Sequence, residues 1–573
     1  MRFRRTSAVV ELTRSRGWRR AAAAAGLVLA ATAGLAQAPP ADPTGAEELR
    51  QRLRLEEEER LRRESAPAVR RERPALEADS LELPEEPRCF RIGEIRLDGA
   101  DRGFSWARSY VERYRGRCIG EEGMNLIARR LTNRIVARGK ATTRVGIPEQ
   151  DVSTGTLRLI LIPGTIRKIS FAEKGTRGLW QTALPARPGD VLDVRDLDQG
   201  LEQLKRVPSQ DVEFAIYPGG ATGESDLELK VKRTRPWRAS LTLDDGGSSA
   251  TGKLEGAATA SLDSPLGLND LLSVTGQHDA EFDPRHHGTW GANGFYSVPY
   301  GYWTLTMSGG TSRYKQTVAG GTETFAYRGR STNAELSVQR VVHRDQASKT
   351  ALELAIGKRW AKTYIEDVEI EVQRRDVTTA SLTVSHRHGM GPATLDVSLG
   401  VRRGLPWLAQ DDPGDEDPAS PTTQYTLGTL EASLAVPLRP FGLPLRFQSR
   451  WRGQYTPDRV LVSDQFSIGG RYTVRGFDGE RALMAERGWT TRNELGFTIP
   501  RVRQELYGGI DHGQVSGPSA ADLDWKGLTG SVVGLRGGYR FISYDAFMGF
   551  ALVRPTGFKT GQPALGFMVT AQY

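Results

Sequence analysis

The stretch Phe447-Gln-Ser-Arg-Trp-Arg-Gly-Gln-Tyr455 decides the fold. Phe447, Trp451 and Tyr455 fall on one side of a period-2 strand, and Arg446, Gln448, Arg450, Arg452 and Gln454 fall on the other. A strand of a large soluble sandwich or propeller buries its apolar side and carries patchy hydrophobicity on the second. Here the second side is polar throughout, the pattern of a strand with lipid outside and a wet lumen inside. The same alternation recurs from Trp237 onward, broken by Gly, Asp, Asn and Pro: Trp303-Leu305-Met307, Leu352-Leu354-Ile356, Ala380-Leu382-Val384 and Leu430-Ala432-Leu434-Val436. Residues 237–573 span 337 positions, or ~21 per strand plus turn for an even-numbered membrane barrel of about 16 antiparallel strands.

The two ends of the chain fit that reading. Seven arginines between Arg2 and Arg20 precede the apolar run Ala21–Ala36, the layout of an export signal with small residues at its cleavage site. Sec export is expected, with cleavage after Ala36, since Pro39 would follow a cut after Ala38. Two Arg-Arg pairs lack the fuller twin-arginine motif. The signal carries seven Arg and one Glu, so +6 of the chain's +9 leaves with it. The remaining +3 removes the main support for a nucleic-acid partner. No later stretch of eighteen apolar residues provides a membrane-spanning helix, which leaves closed strands as the only way through lipid. At the other end Phe567, Val569, Ala571 and Tyr573 alternate with Met568, Thr570 and Gln572, so the chain finishes on an aromatic within a strand.

Between the signal and the barrel the sequence divides into four. Residues 37–65 contain a polar helix, Ala46–Glu64, built almost wholly of Leu, Glu and Arg, with Glu56–Arg60, Glu58–Arg62 and Glu59–Arg63 at i,i+4 spacing. Its apolar stripe is too sparse to enter a core, so it is a solvated helix, a short coiled coil or a helix lodged in a wet channel. Residues 66–87 carry four prolines with the character of a linker. Residues 88–163 and 164–234 then read as two successive β-α-β-β-like units. In the second, Asp193 caps the helix Val194–Arg206, and Val212, Phe214, Ile216 and Leu227, Leu229, Val231 form two alternating strands. Cys89 and Cys118, the only cysteines, share the first unit. After export they are expected to form a bridge worth on the order of 3 kcal/mol.

Chemistry is scarce. The chain has no P-loop, no H-E-x-x-H and no G-x-S-x-G. The pairs His386/His388 and His286-His287 read as surface residues, and the acidic run at 411–417 as an extracellular loop rather than a calcium site. No catalytic residue, metal or cofactor is expected.

The segment Phe466-Ser-Ile-Gly-Gly-Arg-Tyr-Thr-Val474-Arg475-Gly476-Phe477 and the later Ile510-Asp511-His512-Gly513 make the reading specific. They resemble the V-R-G-[FY] loop tip and the x-D-x-G barrel-wall motif of the Omp85 superfamily, in particular its two-partner secretion transporters (TpsB, ShlB/FhaC/HecB-like). The stretch from Thr142 to Leu157 is similar to the end of a first POTRA domain in that family. The resemblance covers the whole mature chain: helix, linker, two POTRA domains at 88–163 and 164–234, and a barrel at 235–573. It implies that Arg475 pairs with Asp511 on the inner wall, whose motif includes Gly513, that Gly476 permits the tight turn, and that Phe477 packs the tip. It further implies an outer-membrane protein of a Gram-negative bacterium with periplasmic POTRA domains. Its partner would be an unfolded haemolysin- or adhesin-like exoprotein of β-helical type, carried outward without ATP. Outer-membrane lipid and the barrel assembly machinery are the other expected partners, the latter reading Phe567 and Tyr573 as an insertion signal. The helix would be a removable plug. Substrate would add to a POTRA sheet edge through Val212, Phe214, Ile216, Leu227, Leu229 and Val231. The alternative within the superfamily is an insertase for other barrels, against which two POTRA units and a plug-like helix argue. A passive porin would need neither.

Overall fold

The computed structural model describes residues 43–65, 80–99, 102–173, 178–319, 323–410, 412, 420–502 and 504–573. The signal-like stretch 1–36, most of the linker and the acidic run other than Asp412 lie outside the described residues.

Sixteen long strands, from Trp237–Asp244 to Ala564–Gln572, form one closed antiparallel sheet; a two-residue strand, Val368–Glu369, is added at one hairpin tip. Closure is physically required, because an open edge in hydrocarbon leaves its N–H and C=O groups without partners. The last strand pairs with the first in a register that runs only from Met568↔Asp244 to Gln572↔Ser240. Alternation along each strand sorts the side chains. Leu352, Leu354 and Ile356 are exposed on the outer wall, as are Trp303, Met307 and Trp451, whereas Arg450 and Arg452 of Leu445–Tyr455 reach charged partners inside. The terminal Tyr573 ring lies 5.6 Å from that of Trp237, under the Arg235 guanidinium at 4.1 Å. This cluster gives one rim of the outer wall an amphipathic anchor.

Two small α/β units precede the barrel. In the first, Glu94–Asp98 pairs in parallel with Thr156–Ile162, which pairs antiparallel with Arg144–Gly146. The helix Glu121–Ala137 lays Ile127, Leu131 and Ile135 over that sheet, against Leu157, Leu159 and Leu161. Glu86 accepts from the backbone N–H groups of Gly120, Glu122 and Gly123, tying the end of the linker to the N-terminus of this helix. Cys89 and Cys118 are disulfide-bonded, with Cα atoms 5.3 Å apart.

The second unit orders its strands Thr165–Phe171, Glu224–Arg233, Gln210–Pro218, placing Glu224–Arg233 in the middle. Val212, Leu227 and Leu229 are fully buried in its core, with Phe214 and Val231 packed alongside. The sequence-based expectation that both strands offer a docking edge is thereby corrected. Glu224–Arg233 is hydrogen-bonded on both sides, and its Leu227 and Leu229 face the helix Val194–Lys205. Of the two strands, Gln210–Pro218 alone is an edge, exposing Ile216 and Tyr217. Asp193 caps the helix by accepting from Arg195 N at 2.9 Å.

That helix also fixes the unit to the barrel. Gln199 and Gln203 both donate to the carbonyl of Gly301 at 3.1 Å, and the Tyr302 hydroxyl donates to Asp196. Gly301 adopts φ +59°, and a Cβ there would sit 3.3 Å from Pro185. Arg344 grips Glu202 with both terminal nitrogens at 2.8 and 2.7 Å, and Lys349 adds a third contact at 2.9 Å. Burial alone would raise the Glu202 carboxyl. The hydrogen bonds from Arg344 and the charge of Lys349 outweigh it and hold the pKa at about 2. A carboxyl depressed on folding contributes stability that is complete above its unfolded value of about 4.5 and lost as pH falls toward 2. Glu202→Gln is therefore expected to destabilise the docked unit by on the order of 3 kcal/mol at pH 7. In thermal unfolding followed by tryptophan fluorescence, the gap to the parent protein should narrow steadily below pH 4.5.

Candidate functional site

The long connection between Leu445–Tyr455 and Arg487–Ile499 does not leave the barrel. It folds inward as a hairpin braced by Phe466–Ile468 against Leu483–Ala485. The sequence dictates this: Phe466, Ile468, Val474, Phe477 and Leu483 are apolar, and inside a polar lumen they bury one another together with Val515, Ala520 and Leu528. Phe477 meets Phe558 edge to face at 5.7 Å.

At the tip stands Arg475, 4% exposed. Its Nε and Nη2 donate to the two oxygens of Asp511 at 2.8 and 3.0 Å, and its backbone N–H donates to the same carboxylate at 3.0 Å. Nη1 donates to Glu494 at 2.7 Å. One guanidinium thus engages two carboxylates, the bidentate one fully buried on the wall strand Gln504–Ser516. Gly476 holds φ +109°, and a Cβ there would lie 2.5 Å from the Phe550 carbonyl oxygen. At Gly513 a Cβ would come within 2.9–3.1 Å of Thr490, Ile468 and Val474. These two positions let the hairpin tip lie flat on the wall.

The sequence-predicted residues Val474, Arg475, Gly476, Phe477, Asp511 and Gly513 therefore converge on one patch of inner wall. Glu494 was missed. It faces the lumen two residues from Arg492 on the strand Arg487–Ile499, and it also receives Arg536; its parity on an alternating strand was the available signal. Arg471 was missed as well. It donates to Asp245 at 2.8 Å and to the Phe567 carbonyl at 3.1 Å, joining the hairpin to both strands of the barrel seam.

The second luminal element is the helix Pro43–Ser65. Thr44 hydrogen-bonds Tyr314 at 2.7 Å and Thr363 at 2.6 Å. Arg54 reaches Asp244 at 2.9 Å and also Glu255, Arg52 donates to the Gln465 carbonyl at 3.0 Å, and Glu56 binds Arg452. Of the three i,i+4 pairs expected within the helix, Glu59–Arg63 forms at 3.8 Å. Arg60 turns instead to Glu57 at i,i+3, and Glu56 is taken by the barrel wall. Glu56 also keeps Arg52 of its own helix at 3.4 Å, so wall and intrahelical charges share it. Among the described residues no cluster of His, Cys, Asp or Glu has metal-binding geometry. His386 and His388 stack at 6.0 Å, with His386 hydrogen-bonded to Thr350.

A sixteen-stranded barrel with an arginine-anchored hairpin and a charged helix in its lumen, preceded by paired α/β units, defines an outer-membrane transporter with periplasmic POTRA domains. Residues 223–537 match the haemolysin secretion/activation protein family ShlB/FhaC/HecB, and the two preceding units match a ShlB-type POTRA domain at 90–164 and a POTRA domain at 165–218. The chain belongs to that family. It is 40% identical to the outer membrane transporter CdiB-2 of Burkholderia pseudomallei, over 89% of this chain and 90% of that one. Identity to the hemolysin transporter protein ShlB of Serratia marcescens is 28%, covering 79% and 80%. The solved structure of CdiB from Acinetobacter baumannii superposes with a TM-score of 0.81 at 28% identity, covering 92% of this chain and 99% of that one.

Removing one partner of a buried ion pair leaves the other charge uncompensated, at about 3–5 kcal/mol. Arg475→Ala and Asp511→Ala are each expected to abolish export while the barrel still assembles. Heat-modifiable migration on gels would report assembly, and normal export by both variants would refute the role.

Proposed function

We propose that this transporter receives one unfolded exoprotein in the periplasm and passes it through its own barrel to the cell surface. The observation that carries this reading is a lumen occupied by two elements joined to the wall through side chains rather than by the wall's own strands. A diffusion pore has no use for a charged helix and a latched hairpin. The POTRA units supply the receiving surface: an extended segment adds to the free edge of Gln210–Pro218, with main-chain hydrogen bonds for affinity and Ile216 and Tyr217 for side-chain selectivity. The helix leaves the lumen to open it, and the hairpin held by Arg475 keeps the opened wall in shape. Without ATP in the periplasm, folding of a repetitive β-helical exoprotein outside supplies the direction. Phe567 and Tyr573 on the outer face of the last strand serve recognition by the barrel assembly machinery, and the exposed apolar wall meets outer-membrane lipid.

The decisive experiment compares the culture supernatant and outer membrane of a deletion strain with those of the parent. Loss of one large β-rich protein from the supernatant, with the membrane proteome intact, is the expected result. Depletion of many barrel proteins would instead establish an insertase. For the helix, deleting residues 43–65 should raise single-channel conductance in planar bilayers, and unchanged conductance would remove it from the gating role.

A further inference from the structure

Arg450 and Arg492 are direct cross-strand partners on the lumen side of the barrel. Like charges in that position cost stability unless something compensates them. Arg452 lies one pleat further along the same strand. The wall carboxylates nearest to Arg492 and Arg452 are shared with other cations. Arg492 donates to the Tyr472 carbonyl at 3.3 Å and stands 3.9 Å from Asp511, which Arg475 already occupies. Glu431, the cross-strand neighbour of Arg452, faces Arg63 of the helix at 3.5 Å.

The luminal helix adds two carboxylates beside them, of which Glu57 is also held by Arg60 of the helix itself. Glu57 lies 3.8 Å from Arg450, and Glu56 binds Arg452. Both arginines thus have carboxylate contacts on an element tied to the wall only by side chains. Between the lower half of this helix, the wall and the second POTRA unit lies a cavity of about 850 Å³. Arg206 lines it from the C-terminal end of the helix Val194–Lys205. Its Nη2 donates to Ser297 at 2.6 Å, and its buried Nη1 has no hydrogen-bond partner. Other cations of the cavity are matched by carboxylates of the wall or of the POTRA unit: Arg387 by Asp396 at 2.5 Å, Arg238 by Asp263 at 3.0 Å and Lys349 by Glu202 at 2.9 Å.

We infer that Arg206, Arg450, Arg452 and Arg492 form a receiving site for an acidic stretch of the translocated polypeptide, which Glu56 and Glu57 occupy as an internal stand-in while the lumen is closed. The path is continuous, from Arg206 at the POTRA end of the cavity to the wall arginines beside the helix. Guanidinium groups suit the task because they engage carboxylates directionally from a rigid fork and never lose their charge. Several such contacts in sequence let a chain be drawn in without being held at any one point. An arriving acidic segment competes for the groups that hold the helix, so capture of substrate and release of the helix become one exchange. This inference rests on the preceding reading that a polypeptide crosses the lumen, but its test needs no exoprotein.

The test uses the full-length protein in planar lipid bilayers, with decaglutamate and decalysine added on the POTRA side. Glu56→Gln together with Glu57→Gln is expected to raise the open fraction several-fold. Its open pore should be blocked by decaglutamate at about one-tenth the concentration of decalysine, a difference of about 1.4 kcal/mol. Adding Arg450→Gln, Arg452→Gln and Arg492→Gln should erase that preference. An unchanged open fraction, equal block by the two peptides, or a preference that survives loss of the arginines would each overturn the proposal. Should the fivefold variant form no pores, the peptide preference of the double variant decides alone. Failure of the secretion reading would appear in culture supernatants, and failure of this one in currents recorded without any exoprotein.

Discussion

A backbone in hydrocarbon has no water to satisfy its N–H and C=O groups, and from this constraint the rest of the molecule follows. The sheet must close, so its strands tilt into a cylinder whose wall is one residue thick and whose inner face is polar by alternation. A sixteen-stranded cylinder is too wide for its own side chains to fill. The lumen therefore stays open or receives a separate element. This chain supplies two, and each must be polar enough to lie against a wet wall yet bonded firmly enough to stay. The hairpin meets that demand with a small apolar core of its own around Phe466 and Val474 and a single deeply buried ion cluster at Arg475. The helix meets it with charges distributed along its whole length.

The two solutions differ in reversibility. Arg475 is enclosed by Asp511, Glu494 and the glycine-smoothed wall, and breaking its contacts exposes buried carboxylates. The contacts of the helix are spread over Arg54, Glu56, Glu57 and Arg63, of which the last three line the cavity while Arg54 meets the buried Asp244. Several of these are partly solvated pairs of modest individual value. The ties of the helix are many and separate, whereas those of the hairpin converge on one buried cluster.

Much of this was legible in the sequence because alternation is a local property. Arg450, Arg452 and Trp451 sort themselves inside and outside by parity alone, and Asp193 announces its helix by standing one residue before it. Arg475 and Asp511 were legible through their motifs. Strand order was not. Nothing in Leu227-Glu-Leu229-Lys-Val231 says that it lies at the centre of its sheet rather than at the edge, since both positions use the same alternation. Contacts between distant segments were equally hidden. Glu202 meeting Arg344 and Arg54 meeting Asp244 depend on where whole units dock, and each residue alone looks like an ordinary surface charge.

Asp464 belongs to the long connection that carries the hairpin, yet it is held from two directions: Arg359 of the wall donates to it at 2.6 Å, and Arg52 of the helix stands 3.8 Å away. The carboxylate is buried, so its free energy depends on both cations. Thermodynamic reciprocity then applies: whatever the presence of the helix does to the stability of the hairpin segment, the ordered segment does equally for retention of the helix. The two luminal elements are not independent obstructions but coupled sites on one scaffold. A perturbation of the connection at Asp464 is therefore also a change in affinity for the helix.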